Sequence, residues 1–235
     1  MRSIAEYVII DVETTGLDPE SDKIVEIAAI RYRGKQHIDE WQSLINPDIP
    51  IPASASAVHH ITDKDVHDAP RLDEIWPSLR EFCAGRILVA HNAEFDSAFL
   101  KGIDARRWLC SYRFARHLWP ELLSHTNQYL RYHLNVDIPF AGVHRALADV
   151  AVTAGVFMNE LETYRSLGNE WSVGAIAGYI AQPVPIPRMP FGKHRGQLLT
   201  DVPSDYIRWA VNGGITDADV LHALGKEQHR RMQAA

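Results

Sequence analysis

The sequence predicts an α/β fold, a mixed five-stranded sheet flanked by helices, with a small C-terminal α+β module behind it. Three observations carry this reading. Three apolar runs follow one another near the N-terminus with only short turns between them, the spacing of an antiparallel meander. Two further short apolar runs are each reached through a helical stretch, as crossover-linked strands are. A proline-dense stretch near residue 185 then interrupts every regular pattern.

In order along the chain, Tyr7-Val-Ile-Ile10 runs as a strand into Asp11 and a turn at Thr14-Thr15-Gly16. Lys23 to Arg33 and Ile38 to Ile45 are the second and third strands, joined at Gly34-Lys35, and Pro47 to Ala57 is a Pro/Ala/Ser loop. Leu72, Ile75, Trp76, Leu79, Phe82 and Cys83 fall at helical intervals, and Gly85 closes that helix. Arg86 to Ala90 is a fourth strand, and His91-Asn92 opens a helix through Leu100. A fifth strand at Arg107 to Cys110 precedes helical stretches at Tyr112–Leu118 and Asn127–Leu134 and a long helix from Ala146 to Tyr164. Between Pro183 and Pro190, four of eight positions are proline, which suits neither a helix nor a central strand but a stiff extended linker. The expected organisation is therefore residues 1–180 as one domain, 181–190 as linker, and 191–235 as a small module with helices from Ser204 to Val211 and from Thr216. There is no internal repeat.

Of the 235 residues, 46% are apolar and 23% charged, which excludes disorder and collagen; two cysteines exclude a disulfide-stapled scaffold and point to a reducing, cytoplasmic setting. Met1 to Asp11 lacks the long apolar core of a signal peptide, and no charge-free window of about 20 residues could cross a membrane. The net charge of −6 argues at first against a nucleic-acid partner, whose site should be basic. The charge is uneven, however. Residues 101–145 hold seven Lys/Arg against three Asp/Glu, and residues 183–235 hold seven against five. The acidity is concentrated elsewhere.

Three patches hold the candidate chemistry. Asp11 and Glu13 sit two apart at a strand end, so both face one side while Val12 faces the core. Such a pair repels and stays ionised only if cations neutralise it, although a lone Asp-x-Glu is more often a solvated strand end. Asp96 lies about one turn into the helix after the fourth strand, where it can reach the same crevice. By itself it reads as a favourable charge near a helix N-terminus, with Asn92 as the N-cap. His144 and Asp149 are five apart, a rotation of about 140° on a helix, so they share a site only if His144 lies in the loop after Gly142 and Asp149 on the early helix. Each patch alone has a bland structural reading.

Together, Asp11-Val-Glu13-Thr14-Thr15-Gly16, His91-Asn-Ala-Glu-Phe-Asp96 and His144-Arg-Ala-Leu-Ala-Asp149 resemble, in order and spacing, the three motifs of the DnaQ-like DEDDh 3′–5′ exonucleases over roughly residues 5–165. The resemblance implies a ribonuclease H-like sheet and two-metal phosphodiester hydrolysis. Asp11, Glu13, Asp96 and Asp149 would hold two Mg²⁺ or Mn²⁺ ions, and His144 would deprotonate the attacking water. The physics agrees: four carboxylates match two divalent cations in charge, and hard oxygen ligands favour those metals over zinc. An imidazole suits proton abstraction near neutral pH.

The implied partner is the 3′ end of DNA, single-stranded or frayed duplex, with RNA as an alternative. Thr14, Thr15, Gly16 and Leu17 follow the first carboxylates and are candidates for the terminal sugar and base; Leu17 filling a small apolar pocket is nearly as good a reading. Asn92, Phe95, His60 and Ile61 are further substrate candidates, the last two because Val58-His-His-Ile-Thr62 resembles a loop near the terminal nucleotide in this family. Arg106, Arg107, Arg113, Arg116, Arg131 and Arg145 are candidate phosphate contacts. Phe191-Gly-Lys-His-Arg-Gly196 followed by Tyr206-Ile-Arg-Trp209 resembles the C-terminal module of exodeoxyribonuclease X-type enzymes. There, Lys193 and Arg195 are DNA-binding candidates and Phe191 and Trp209 candidate base platforms, with a packed mini-core the favoured reading of Trp209. The expected function is a 3′–5′ exodeoxyribonuclease that releases nucleoside 5′-monophosphates, in repair or recombination. A polymerase proofreading subunit, an exoribonuclease and a catalytically silent nucleic-acid adaptor are the alternatives.

Overall fold

The computed structural model describes residues 6–138, 146–170 and 172–234. His144 and Arg145 lie outside the described residues. Five strands, β1 (Tyr7–Thr14), β2 (Ile24–Arg33), β3 (Gln36–Leu44), β4 (Arg86–Ala90) and β5 (Ala105–Cys110), form one sheet in the order β3-β2-β1-β4-β5. The meander β1-β2-β3 is antiparallel, and β4 and β5 add in parallel to the other edge of β1. This is the mixed, ribonuclease H-like sheet expected.

The helices are α1 (Ala53–His59), α2 (Asp63–Val66), α3 (Leu72–Cys83), α4 (Ala93–Phe99), α5 (Ser111–Leu118), α6 (Asn127–His133), α7 (Ala146–Ser166), α8 (Val173–Ile180), α9 (Ser204–Trp209) and α10 (Ala218–Ala234). The two-residue period of β1 sorts them into layers. Val8, Ile10 and Val12 face α3 and α4, while Tyr7 and Ile9 face α5 to α8. Through Leu161 α7 is apolar on most of its surface because it is packed between β1 and β2 below and α5 and α6 above, and its last turn is largely exposed. Phe157 is its central anchor, set edge-on to Tyr7 and packed with Phe114.

α1, α2 and α8 were not expected. The Pro47–Ala57 stretch has a loop's composition, yet α1 starts directly after Pro52, which supplies the extended residue ahead of a first turn, and Thr62 with Asp65 forms a capping box for α2. Ala55, Ile61 and Val66 then bury a small cluster with Val25 and Ile51 at the sheet edge.

Beyond α8, Met189, Leu199, Val202, Ile207, Ala210, Val220 and Leu224 form a separate apolar cluster. The proline-dense stretch is not a free tether: Val184 and Met189 are buried, and Met189 exchanges backbone hydrogen bonds with Gln197 and Gly196. The last helix is fastened to the sheet-bearing part through Asp219. Its carboxylate accepts from Arg113 Nη1 (2.8 Å) and the Val184 N–H (3.0 Å), with Arg116 Nη1 at 3.6 Å. Burial opposes ionisation of Asp219, but these donors prevail and hold its carboxyl below the usual range. Among the described residues no helix is long and apolar enough to cross a membrane.

Candidate active site

The carboxylates gather where β1 and β4 end. Asp11 and Glu13 continue the face of Tyr7 and Ile9, so they point toward the layer that contains α7. A register shift between Glu13 and Thr14 interrupts the β1–β2 ladder before the last pair, Thr14 with Ile24, and such a bulge re-aims the chain beside a site. α4 starts just past β4 and turns Asp96 back onto β1, where the Val12 N–H donates to its Oδ1 at 3.2 Å. Asp96 is only 2% exposed, and burial pushes its carboxyl up to about 7 despite that hydrogen bond. Asp149 sits in the first turn of α7, its Oδ1 accepting from Gln128 Nε2 (3.2 Å) and its carbonyl from Asn127 Nδ2 (3.2 Å).

Asp11 ties the set together electrostatically. Its carboxyl is held well above the ordinary range, first by burial and then by the negative charges of Asp96, Glu13, Asp149 and Glu26. Carboxylates that raise one another in this way create a demand for cations. Among the described residues, no three His, Cys, Asp or Glu side chains already stand close enough to hold a metal ion. The all-oxygen donor set and its clustered negative charge suit hard divalent cations.

Glu26 was missed in the sequence. It lies across the ladder from Glu13, is 0% exposed, and accepts from Gln42 Nε2 (2.9 Å) and from the Ala146 N–H (3.1 Å). A carboxylate at that end of α7 complements its dipole and fixes the turn that carries Asp149. The signal was a glutamate in the middle of the apolar run Lys23-Ile-Val-Glu-Ile-Ala-Ala-Ile30.

The substrate candidates separate. Thr14 Oγ1 donates to the Gly16 carbonyl (2.6 Å), and Thr15 Oγ1 donates to Asp22 Oδ1 (2.9 Å), so both hydroxyls shape the turn after β1. A Cβ on Gly16 would meet the Asp22 carboxylate at 2.4 Å, which is why glycine stands there. Leu17, by contrast, is 83% exposed beside the carboxylates and fills no pocket. Asn92 occupies the residue before α4 in a left-handed conformation (φ 79°), but its side chain caps nothing. Phe95 packs on Phe99 and the α3/α4 layer. His60 is exposed after α1, whereas Ile61 is 1% exposed and committed to the small edge cluster, which removes its side chain from direct substrate contact.

Two candidate phosphate contacts have other work. Arg113 donates to Asp219 and to the Ile180 and Gln182 carbonyls, and Arg116 faces Asp219, so both fasten the C-terminal part. Arg106 and Arg107 are exposed on β5, and the Arg131 guanidinium lies over the Tyr132 ring at 5.4 Å. Lys193 and Arg195 are exposed on the Gly192–Gly196 turn. A crevice of about 790 Å³ runs between Asn92, Glu94, Tyr112 and Arg113 on one side and Asp219 and His222 on the other.

A family model described as "Exonuclease" (RNase_T) matches residues 8–157, the span that contains every described carboxylate of the site. The chain belongs to the DnaQ-like 3′–5′ exonuclease family. Hydrolysis in this family depends on divalent metal and acts on nucleic acid. This exonuclease is 33% identical over 210 residues to Exodeoxyribonuclease 10 of Escherichia coli, across 87% of this chain and 90% of that protein. It is 34% identical over 170 residues to DNA polymerase III PolC-type of Caldanaerobacter subterraneus, across 69% of this chain but only 12% of that polymerase. Among solved structures, Exonuclease X in complex with 5′ overhanging duplex DNA superposes with a TM-score of 0.64 at 30% identity, covering 74% of this chain and 99% of that one. The C-terminal residues 184–224 match a second family model, described as "Putative quorum-sensing-regulated virulence factor".

Proposed function

We propose that this exonuclease is a 3′–5′ exodeoxyribonuclease that releases nucleoside 5′-monophosphates from single-stranded or frayed DNA 3′ ends, the trimming step that repair and recombination require. The observation that carries the proposal is the gathering of like charge around Asp11, from Asp96, Glu13, Asp149 and Glu26, in an exonuclease fold. Asp11, Glu13, Asp96 and Asp149 would hold two Mg²⁺ or Mn²⁺ ions. When bound, these supply charge stabilisation of the attacking and leaving oxygens around the phosphorus. His144 takes the proton of the attacking water; it lies outside the described residues, and its role rests on the motif it completes with Asp149. Glu26 orients the first turn of α7 and thereby Asp149.

Around that chemistry, the turn built by Thr14, Thr15 and Gly16 offers backbone to the terminal sugar, and exposed Leu17 packs against the terminal base. Asn92 borders the crevice at the start of α4, exposed His60 remains a candidate for the terminal nucleotide, Phe95 supports α4 from the α3 side, and Lys193 and Arg195 contact the strand farther out. Residues 1–180 form the catalytic domain, 181–190 the connection and 191–235 an accessory nucleic-acid-binding module. The match to Exodeoxyribonuclease 10 along nearly its whole length, against 12% of the polymerase, supports the deoxyribonuclease reading over a proofreading subunit.

The test is degradation of matched DNA and RNA oligonucleotides by the full chain with Mg²⁺ or Mn²⁺. The expected result is loss of DNA at a rate well above RNA. Equal or faster loss of RNA would overturn the deoxyribonuclease assignment, and no loss of either would overturn the enzyme.

A further inference from the structure

The C-terminal residues hold an aromatic and basic surface that the apolar cluster beneath them does not use. Trp209, expected to pack inward, is 54% exposed, and Phe191 is 40% exposed. The Trp209 indole lies against the backbone of Gly214, where a Cβ would come within 2.5 Å of the ring, so a glycine is required for the indole to rest there. Its other neighbour is Tyr206, with ring centroids 5.1 Å apart. Tyr206 is in turn met edge-on by His194 at 4.5 Å, and its ring lies 5.1 Å from the Lys193 ammonium. Gly192, at φ 74°, brings the 191–196 turn against the Tyr206 hydroxyl, where a Cβ would stand at 3.2 Å.

The indole is thus fixed from behind while much of it stays open to solvent. That is an expensive use of a large apolar ring unless a ligand covers it. Lys193 and Arg195 lie on the 191–196 turn that packs against Tyr206; both are exposed, and among the described residues neither is paired with a carboxylate. Arg208 lies on another face of α9, lining a groove with Ser204, Ile207 and α10. Asp205, the nearest acid in sequence, accepts the Tyr206 N–H.

We infer that this surface, Trp209 and Tyr206 flanked by Lys193 and Arg195, is a stacking platform for single-stranded DNA. It would engage bases of the strand upstream of the 3′ end while the phosphates meet the two cations. Flat aromatic faces beside unpaired cations bind a single strand without reading its sequence, because every base offers a π-face. The inference rests on the exodeoxyribonuclease reading for its choice of DNA. It deepens that reading by assigning affinity for long strands to a surface separate from the carboxylates.

The experiment measures binding of the full chain to fluorescent dT30 in EDTA, where no hydrolysis interferes, together with steady-state cleavage of dT30 and dT3 in Mg²⁺. Trp209→Ala should weaken dT30 binding by roughly 5- to 160-fold, the range set by loss of one stacked base. Trp209→Phe should restore most of it. Lys193→Gln with Arg195→Gln should reduce the slope of log affinity against log salt by about 1.4, two phosphates' worth on a single strand. The cleavage deficit of Trp209→Ala should appear as a raised KM that grows with strand length, with kcat unchanged on dT30. Unaltered dT30 binding by Trp209→Ala, with its circular dichroism intact, would overturn the platform. So would an equal KM penalty on dT3. Tighter, Trp209-dependent binding of rU30 would overturn the choice of DNA. If the wild-type chain binds dT30 through Trp209 but cleaves neither oligonucleotide, the platform stands and the enzymatic reading fails.

Discussion

Asp96→Asn offers a direct view of the electrostatics of the crevice, because its effect on stability should have the opposite sign to its effect on activity. Asp96 is buried, and its carboxyl sits at about 7 in the fold against an ordinary 3.8. Since the folded state holds this proton more tightly than the unfolded chain, the group is harmless below pH 4. It costs stability progressively as pH rises toward 7, and its penalty is constant above that. A displacement of that size corresponds to roughly 4 kcal/mol at pH 8, a ceiling for what neutralisation can return. Asparagine keeps an oxygen for the Val12 N–H and removes the charge that faces Asp11. In EDTA, urea unfolding at pH 8 should therefore show Asp96→Asn more stable than wild type by about 1–4 kcal/mol, a midpoint shift of about 1 M for a typical denaturant slope. At pH 4 the two should coincide. Saturating Mn²⁺ should stabilise wild type, by about 2.7 kcal/mol at a hundred times its dissociation constant, and the variant far less. A variant equal to or less stable than wild type at pH 8, with an unchanged pH slope, would refute the reasoning.

Three other perturbations have defined outcomes. His144→Ala should lower turnover by roughly 10²–10⁴ while Mn²⁺ binding, read by calorimetry, persists; unchanged turnover removes His144 from the chemistry. Gly155→Ala would ordinarily favour a helix interior by about 1 kcal/mol, but its Cβ would fall 2.2 Å from Val136 Cγ1, so overpacking should destabilise by about 1–3 kcal/mol. Adding Val136→Ala should restore stability, and a harmless Gly155→Ala would show that Val136 can move aside. Asp219→Ala strips Arg113, Arg116 and the Val184 N–H of their acceptor, and should destabilise by about 1–3 kcal/mol and expose residues 183–190 to limited proteolysis; undiminished protease resistance would place the fastening elsewhere.

The sheet was legible because each strand is an apolar run bounded by turn residues, and the parallel placement of β4 beside β1 follows from the helix that links it to the meander. The helices that escaped notice are those whose sequence signals compete. α1 reads Ala-Ser-Ala-Ser-Ala after two prolines, a loop composition, and is made helical by the burial of Ala55 with Ile61 and Val66. α8 is short and glycine-bearing, and is held by Ile176 and Ile180 in the core under α5. At the site, residue identity and spacing pointed to the carboxylates, since period two for Asp11 and Glu13 and a helix start for Asp96 are local rules. The apolar run around Glu26 marks it as unusual, but its role is not legible there, because that role depends on a cross-strand register and on Ala146, 120 residues away. Arg113 and Arg116 looked like phosphate contacts until the fold placed Asp219 against them. Charge in sequence does not say which counter-charge the tertiary structure supplies.

The central claim is that the crevice around Asp11 removes nucleotides from DNA 3′ ends only when divalent cations neutralise it. The most direct measurement is a time course on 5′-labelled single-stranded DNA with Mg²⁺, with EDTA, and with Asp96→Asn in Mg²⁺, the released products identified by mass spectrometry. With Mg²⁺ the wild-type chain should give a ladder that shortens from the 3′ end and nucleoside 5′-monophosphates as product, and the substrate should stay intact in the other two arms. Release of the 5′ label as the first product, or undiminished cleavage in EDTA or by Asp96→Asn, would contradict it.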